Sequence, residues 1–161
     1  MVSHRYVEID PEVICYKISI KVDAKPVKQK PGRMHEERNR AISDEVNRLL
    51  QASFIRETFG PDWLSNLVLV KKKNGKWRVC IDFTNLHDAC PKDSYPLLRI
   101  DQLVEATTGQ KLISFMDAYS SYNQIKMHPS EKNKTTFITG QGIYCYRMMP
   151  FGLKNAGATF Q

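Results

Sequence analysis

The sequence predicts an α+β fold in which antiparallel hairpins pack against helices. An Asn-Gly pair separates two β-rich runs within residues 67–81, and a Gly-Gln-Gly turn at residues 140–142 separates two more. Segments with helical spacing lie before and after these hairpins. This mixed order favours antiparallel pairing over a parallel sheet with alternating strands and helices.

The composition is that of a globular protein with surplus positive charge. Its 161 residues include 24 Lys or Arg and 17 Asp or Glu, and the resulting net charge of +7 favours a polyanion as partner. The four cysteines and four histidines are scattered without a C-x-x-C pair, so we expect no zinc site and a reduced, intracellular compartment. No apolar run approaches the ~18 residues of a membrane-spanning helix.

The N-terminal third predicts an arm followed by a helix. Residues 1–34 predict an extended arm, because residues 16–33 alternate apolar and polar positions and then contain Pro26 and Pro31. Residues 35–54 have apolar side chains at helical spacing and acids in the first turn, so they predict a helix that ends near Gly60-Pro61.

The stretch VKKKNGKWRVCIDF, residues 70–83, predicts a β-hairpin with a basic tip. A two-residue turn at Asn74-Gly75 sorts the side chains onto two faces. The basic face comprises Lys71, Lys73, Lys76 and Arg78, with Lys71 opposite Arg78, and the apolar face comprises Val68, Val70, Trp77, Val79 and Ile81. One interpretation is a solvated turn that keeps the hairpin soluble. The other interpretation is a finger that closes on phosphate. Like charges that face each other destabilise a sheet, and an anion would relieve this repulsion.

The remaining elements follow in chain order. An irregular link through residues 85–99 leads to a short helix at about residues 101–107, which Gly109 closes. An apolar strand then ends at Asp117, and the second hairpin and the start of another helix in LKNAGATFQ come after it.

Two features carry candidate chemistry. Asp117 is a candidate metal ligand, because a carboxylate supplies the oxygen that hard cations prefer; a helix cap or a turn is the structural alternative. Tyr119 and Tyr122 could stack on a sugar or base, or pack as ordinary core tyrosines. No G-x-S-x-G, Walker loop or G-x-G-x-x-G occurs, so the enzyme classes that those motifs mark find no support.

Several stretches together resemble the reverse transcriptase of Gypsy-type long-terminal-repeat retrotransposons, most closely the plant elements. They are ASFIRETFGPDWLSNLVLVKKKNGKWRVCIDFTNL, ACPKDSYPLLRIDQLVEATTG, LISFMDAYSSYNQIKM, KTTFIT and YCYRMMPFGLKNAGATFQ, in the family's order and spacing across residues 10–161. The resemblance implies a right-hand polymerase fold, of which this chain holds the fingers and the first part of the palm, with an incomplete palm sheet. It divides the chain into an extended arm (1–34), fingers (35–91), the first part of the palm (92–123), a second part of the fingers (124–157) and the start of a palm helix (158–161).

The resemblance also implies the roles of individual residues. Asp117 is the catalytic carboxylate that binds two Mg²⁺ ions, while Arg78 and a hairpin lysine neutralise the triphosphate. Counting back from Arg78 and the expected cross-strand geometry favour Lys71 for that lysine, with Lys72 as the alternative. Tyr122 packs under the deoxyribose and excludes a 2′-hydroxyl. The nucleotide site further comprises Ala118, Tyr119, Phe151 and Gly152, and nucleic-acid contacts are expected from Lys73, Lys76 and Asn155.

The implied activity is RNA-directed DNA polymerisation, in which deoxynucleotides are added to a primer by two-metal phosphoryl transfer. The implied partners are an RNA or DNA template-primer, deoxynucleoside triphosphates and the rest of the Pol polyprotein, with its palm, thumb, ribonuclease H and integrase. We expect a location in cytoplasmic virus-like particles with access to the nucleus. The Tyr-x-Asp-Asp motif is absent, so we expect no catalysis by this chain alone. The alternative is a non-catalytic nucleic-acid-binding module or a decayed retroelement remnant.

Three positions depart from the family pattern without touching a proposed metal ligand. His87 stands where the family usually has Asn, Leu98 where it has Pro, and Ser121 where it has Gly.

Overall fold

The computed structural model describes residues 8–32, 35–94, 99–114 and 121–160. Within them, none of the helices is long and apolar enough to cross a membrane. Two 3₁₀ turns, Ser121–Gln124 and Lys132–Thr135, lie in the C-terminal half of the chain. The elements in chain order are β1 (Cys15–Tyr16), α1 (Glu36–Gln51), β2 (Ile55–Glu57), β3 (Leu67–Lys71), β4 (Trp77–Ile81), α2 (Thr84–Ala89), α3 (Ile100–Thr107), β5 (Lys126–Met127), β6 (Phe137–Ile138), β7 (Ile143–Tyr146) and α4 (Ala156–Phe160).

The described strands form three small sheets. β2, β7 and β6 make an antiparallel sheet with β7 in the centre, β3 and β4 make the basic hairpin, and β1 pairs with β5 in parallel. The second hairpin turns between β6 and β7, as the sequence predicts. The prediction of an α+β class with prominent antiparallel pairing is therefore confirmed.

Two clusters of buried side chains hold these elements together. In the first, the arm and β5 pack on α2 through Tyr16, Phe83, Leu86, Met127 and Met149. In the second, α1 packs on β2, β3 and the β6–β7 hairpin through Ile42, Val46, Phe54, Leu67 and Phe137. Burial stabilises by about 1.5–3 kcal/mol for each large apolar side chain, so these clusters rather than the short strands position the hairpins.

α1 ends well before the glycine that was predicted to end it. Its last residue is Gln51, and Ser53 then takes a φ of +60°, which turns the chain back. The Phe54 N–H donates to the Leu49 carbonyl at 2.9 Å, and both side chains are buried in the second cluster. The prediction of a longer helix is wrong because this turn directs the next residues into β2.

The link predicted to be irregular contains α2. Just before this helix, the Asp82 carboxylate accepts hydrogen bonds from the Thr84 hydroxyl at 2.6 Å and from the Thr84 N–H at 3.1 Å. These bonds hold the pKa of Asp82 below its ordinary value of 3.8, and they satisfy an N–H group at the start of the helix. α3 and α4 lie where helices were predicted. The strand predicted to end at Asp117 has no counterpart in residues 111–114, and Asp117 itself lies outside the described residues.

Candidate functional site

The basic hairpin pairs in a different register from the predicted one. β4 runs antiparallel to β3, with Arg78 opposite Val70 and Trp77 opposite Lys71. Lys71 therefore does not face Arg78, and the whole ladder is shifted by one residue relative to the pairing that a two-residue turn gives.

The loop at the tip explains this shift. The Lys72 N–H donates to the Lys76 carbonyl at 2.8 Å, and the Gly75 N–H donates to the Lys72 carbonyl at 2.9 Å. Gly75 has a φ of +80°, the left-handed conformation that completes a three-residue hairpin loop built on a type I turn. Lys73 lies in this loop rather than on a strand. The Asn-Gly pair thus marks a hairpin whose loop is one residue longer than predicted.

In the observed register, residues that were predicted to face each other across the two strands lie on opposite faces of the hairpin. Lys71 shares the face of Trp77, and its ammonium lies 5.6 Å from the centre of the Trp77 ring. Arg78 lies on the other face, to which Lys72 and Lys76 also belong. The prediction of one basic and one apolar face is wrong, because each face carries both kinds of residue.

The face of Trp77 docks on α1. The Trp77 indole Nε1–H donates to Glu37 Oε1 at 3.0 Å, and the guanidinium carbon of Arg38 lies 5.5 Å from the ring centre. Leu69 and Val79 of the same face pack against the second core cluster. This face therefore fastens the hairpin to the body of the protein.

The opposite face is open. Val68 and Val70 are 45% and 52% exposed, and the side chains of Lys72, Lys76 and Arg78 are exposed as well. None of these three cations forms an ion pair with a carboxylate in the described parts of the chain. Because these cations share one face, they repel one another, and an anionic ligand would relieve this repulsion. A guanidinium can bind two phosphate oxygens in parallel, and an ammonium adds a point charge.

A second set of side chains forms an aromatic cluster of Tyr122, Phe151 and Phe160. The Tyr122 ring centre lies 4.6 Å from that of Phe151 and 5.1 Å from that of Phe160. Phe151 is 64% exposed, and Gly152 follows it with a φ of +91°, a conformation that favours glycine. Exposed rings of this kind can pack against a sugar or base. The sequence predicted Tyr122 and Phe151 but not Phe160, which the fold of α4 brings to them.

Two polar side chains fix the loop between Phe151 and α4. Asn155 has a φ of +66°; its Oδ1 accepts from the Asp93 N–H at 3.0 Å, and its Nδ2 donates to the Pro91 carbonyl at 3.1 Å. The Lys154 ammonium donates to two carbonyls at the C-terminal end of α2. The amide of Asn155, which was predicted to contact nucleic acid, is thus bonded to the backbone of a neighbouring segment.

The predicted metal site falls outside the described residues. This applies to Asp117 and to Ala118 and Tyr119, which were expected in the nucleotide site. Within the described ranges, no group of three or more His, Cys, Asp or Glu side chains could hold a metal ion. This part of the chain offers exposed cations and an aromatic surface, and the donor set for a metal is not found there.

The family model described as reverse transcriptase (RNA-dependent DNA polymerase) matches residues 70–161. The chain belongs to the reverse transcriptase family. The matched stretch contains the three cations of the open hairpin face, the aromatic cluster and the two side chains that fix the loop before α4.

Transposon polyproteins are among the curated relatives of this reverse transcriptase family member. It is 30% identical over 153 residues to the retrovirus-related Pol polyprotein from transposon 412 of Drosophila melanogaster, a match that covers 91% of the chain and 12% of the relative. It is also 30% identical over 131 residues to the transposon Tf2-3 polyprotein of Schizosaccharomyces pombe, covering 81% of the chain and 9% of the relative. The chain thus spans only about a tenth of the length of these relatives.

Solved structures of foamy virus protease-reverse transcriptase have a similar fold. The crystal structure of the prototype foamy virus protein matches with a TM-score of 0.73 at 19% identity, covering 89% of this chain and 19% of the other. The foamy viral protein in complex with double-stranded DNA matches with a TM-score of 0.70 at 18% identity, covering 91% and 25%. The predicted α+β fold of a reverse transcriptase is confirmed by this likeness, while the division of the chain into fingers and palm stays a prediction.

Proposed function

We propose that the chain is part of the polymerase region of a Gypsy-type, plant-like retrotransposon Pol polyprotein and forms part of its site for the incoming deoxynucleoside triphosphate. The observation that carries this proposal is the open hairpin face, on which Arg78 and Lys72 are exposed without a described acidic partner. In the longer polyprotein this site serves RNA-directed DNA polymerisation.

The hairpin register supports a division of roles among the cations. Arg78 binds phosphate oxygens through its guanidinium fork, and Lys72 adds a positive charge from the same face. Lys71, the lysine favoured by sequence, lies over the Trp77 ring on the docked face and so supports the hairpin instead. Lys73 in the loop and Lys76 on the open face remain candidates for contact with the phosphates of a template-primer.

The aromatic cluster supports the assignment of Tyr122 as the residue that selects the sugar. Its ring packs against those of Phe151 and Phe160, so it can act as a rigid wall against a 2′-hydroxyl. A wall of this kind distinguishes deoxyribose from ribose by volume, without a hydrogen bond.

Asp117 is assigned to the binding of two Mg²⁺ ions, because its carboxylate is the type of ligand that such ions prefer. The backbone of Ala118 and Tyr119 is assigned to the triphosphate on the same resemblance. The proposed partners are a template-primer, deoxynucleotides and the remaining Pol domains, and the proposed location is a cytoplasmic virus-like particle with access to the nucleus.

A titration of Mg·dTTP with the 161-residue chain, followed by ³¹P NMR, tests the nucleotide site. We expect Arg78→Ala to weaken binding by about tenfold or more, because hydrogen bonds to a charged group contribute about 1.5–3 kcal/mol. Arg40→Ala is the matched control, since Arg40 is an exposed arginine of α1 that already pairs with Glu36 at 2.7 Å. Equal binding by the two variants contradicts the proposal, as does an absence of Mg·dTTP binding by the parent.

A non-catalytic nucleic-acid-binding module is the second candidate, favoured by the net charge of +7 and the three exposed cations on the open face of the hairpin. It predicts that a single-stranded oligonucleotide binds with an affinity that falls steeply with salt, while Mg·dTTP does not bind. The same titration therefore separates the two functions.

A further inference from the structure

Gln29 joins the N-terminal arm to the segment that leads into the basic hairpin. The Gln29 N–H donates to the Leu64 carbonyl at 2.8 Å, and the Leu64 N–H donates to the Val27 carbonyl at 3.0 Å. This short parallel pairing fixes the arm, and with it the start of the Gln29 side chain, beside the base of the hairpin.

The side-chain amide of Gln29 then bonds to both ends of the hairpin and to α2. Its Oε1 accepts from the N–H of Asn66, just before β3, at 2.7 Å. Its Nε2 donates to the carbonyl of Asp82, just after β4, at 3.2 Å, and to Asn85 Oδ1 in α2 at 2.8 Å. A longer contact of 3.4 Å reaches Asp82 Oδ2. One side chain therefore crosses the whole base of the hairpin.

This set of partners matches a primary amide. A backbone N–H only donates and a carbonyl only accepts, so the group between them must offer an acceptor on one side and donors on the other. A carboxylate would set a negative oxygen against the carbonyl and carboxylate of Asp82. An apolar side chain of the same length would leave these partners without their bonds to Gln29 in a half-buried place.

The hairpin has other polar supports at its tip and at its base. Among the described strands, β3 and β4 pair only with each other, and an isolated two-stranded hairpin is marginally stable in water. Its inner face packs on the second core cluster, and its tip is tied to α1 by the bond from Trp77 to Glu37. At the base, the Gln29 amide is joined by the bond from the Asp82 N–H to the Asn66 carbonyl at 2.9 Å and by the bond from Asn66 Nδ2 to the Lys30 carbonyl at 2.7 Å. Just before β3, the Ser65 backbone also bonds to Thr136 and Ile138. Among these supports, the Gln29 amide is the one that reaches both ends of the hairpin and α2.

α2 connects this base to the aromatic cluster. Asn85, near the start of the helix, binds Gln29. At the other end, the carbonyls of His87 and Cys90 accept hydrogen bonds from the Lys154 ammonium at 2.8 and 2.7 Å. Lys154 belongs to the loop that follows Phe151. The short helix α2 is therefore hydrogen-bonded to Gln29 at the hairpin base and to the loop beside the Phe151 ring.

We propose that Gln29 is a positioning residue that fixes the angle of the basic hairpin on α2, and so the place of Arg78 relative to the aromatic cluster. As a role in nucleotide binding, this rests on the function proposed above. Gln29 itself contacts no phosphate in this proposal. It acts through the hairpin base, and a small rotation there displaces the cations nearer the tip.

Fluorine NMR of the chain labelled with 5-fluorotryptophan tests the proposal. The sequence contains two tryptophans: Trp77 docks the hairpin on α1, and Trp63 is buried in the first core cluster. Trp77→Phe assigns the two signals. Gln29→Met keeps the length of the side chain and removes its hydrogen bonds, and Gln51→Met, at the exposed end of α1, is the matched control.

In Gln29→Met we expect the Trp77 signal to shift or broaden by more than its line width and the affinity for Mg·dTTP to fall by about tenfold or more, since small misplacements of binding groups have effects of this size. Gln51→Met should leave both unchanged. An unchanged Trp77 signal in folded Gln29→Met overturns the proposal. Should that variant not fold, Asn85→Ala, which removes a single bond to the amide, replaces it with the same criterion.

The two readouts separate this proposal from the proposed function. A changed Trp77 signal with unchanged Mg·dTTP affinity overturns the role in nucleotide binding. If the parent does not bind Mg·dTTP, the proposed function fails, while a changed Trp77 signal still supports Gln29 as the residue that positions the hairpin.

Discussion

Lys71 and Arg78 lie on opposite faces of the β3–β4 hairpin, although both belong to its basic tip. Lys71 places its ammonium 5.6 Å from the centre of the Trp77 ring, on the side that docks on α1. Arg78 lies on the open side, where Val70 is its cross-strand partner. The cations of this short stretch thus differ in their surroundings. Lys71 lies on the face that attaches the hairpin to α1, and Arg78 lies on the face exposed to solvent.

This separation predicts different effects for two neighbouring lysines. Lys72→Ala should weaken the binding of Mg·dTTP by about tenfold, because it removes a charge from the face of Arg78. Lys71→Ala should leave that affinity nearly unchanged. Titration of both variants by ³¹P NMR provides the comparison, and a larger loss in Lys71→Ala would reverse our assignment of the phosphate-binding lysine.

Tyr122 should control the choice between ribose and deoxyribose in a polymerase that contains this chain. With Tyr122→Val, the ratio of kcat/KM for a deoxynucleotide over the matching ribonucleotide should fall by about a hundredfold, since the ring that would clash with the 2′-hydroxyl is gone. Tyr122→Phe keeps the ring and should keep the selectivity. Single-nucleotide primer extension measures both ratios, and continued exclusion of ribonucleotides by Tyr122→Val would argue against this role.

The Asp82 carboxylate, which accepts two hydrogen bonds from Thr84, should make the free energy of unfolding depend on pH. Its pKa is lowered in the folded protein, first by the Thr84 hydroxyl and then by the Thr84 N–H, so its contribution is fully present above the ordinary pKa of 3.8 and is lost as the pH falls through the lower folded value. Asp82→Asn should therefore be less stable than the parent near neutral pH, and the difference should shrink below about pH 4.

Urea unfolding from pH 7 to pH 2 measures this difference. Thr84→Val removes the hydroxyl donor but keeps the N–H, so it should reproduce part of the same pH dependence. A stability difference between the parent and Asp82→Asn that stays constant over the whole range would contradict the role of the charged carboxylate.

His87 should be replaceable by the residue that the family usually has there. Its Nε2 is buried and has no hydrogen-bond partner in the described structure, a situation that costs about 1–3 kcal/mol. His87→Asn should raise the free energy of unfolding by about 1 kcal/mol, since the lost ring contact with Phe83, at 6.3 Å between ring centres, offsets part of the gain.

His128→Asn is the control for that substitution. The His128 ring nitrogen Nδ1 lies 2.8 Å from the Ser130 hydroxyl, so this substitution removes no unpaired nitrogen and should not stabilise the protein. Urea denaturation at pH 7 compares the two variants, and a loss of stability in His87→Asn would show that the imidazole ring contributes more than its unpaired nitrogen costs.

The sequence predicted the existence of both hairpins and of α3 and α4, because turn residues and local periodicity act within a few positions of each other. It did not predict the register of the basic hairpin. Asn-Gly fits a two-residue turn, but Gly75 also fits the left-handed position of a three-residue loop, and the choice between them reverses the faces.

The hydrogen bonds that hold the site together could not be predicted from the sequence. Gln29 meets Asn66, Asp82 and Asn85, which are distant in the chain and carry no local pattern. Phe160 joins Tyr122 for the same reason, since only the folded chain brings α4 against the turn that carries this tyrosine. Tyr122 and Phe151 were predicted because the resemblance to a family assigned both residues to the nucleotide site.

The length of the loop at the tip of the basic hairpin determines which lysine shares the open face with Arg78. If the same residues closed as a two-residue turn at Asn74-Gly75, Lys71 would lie opposite Arg78 and Lys72 would move to the face of Trp77. Descendants of this sequence with a substitution at the turn could therefore keep every lysine and still separate Lys72 from Arg78. Related hairpins should for this reason be aligned separately from each strand rather than across the tip.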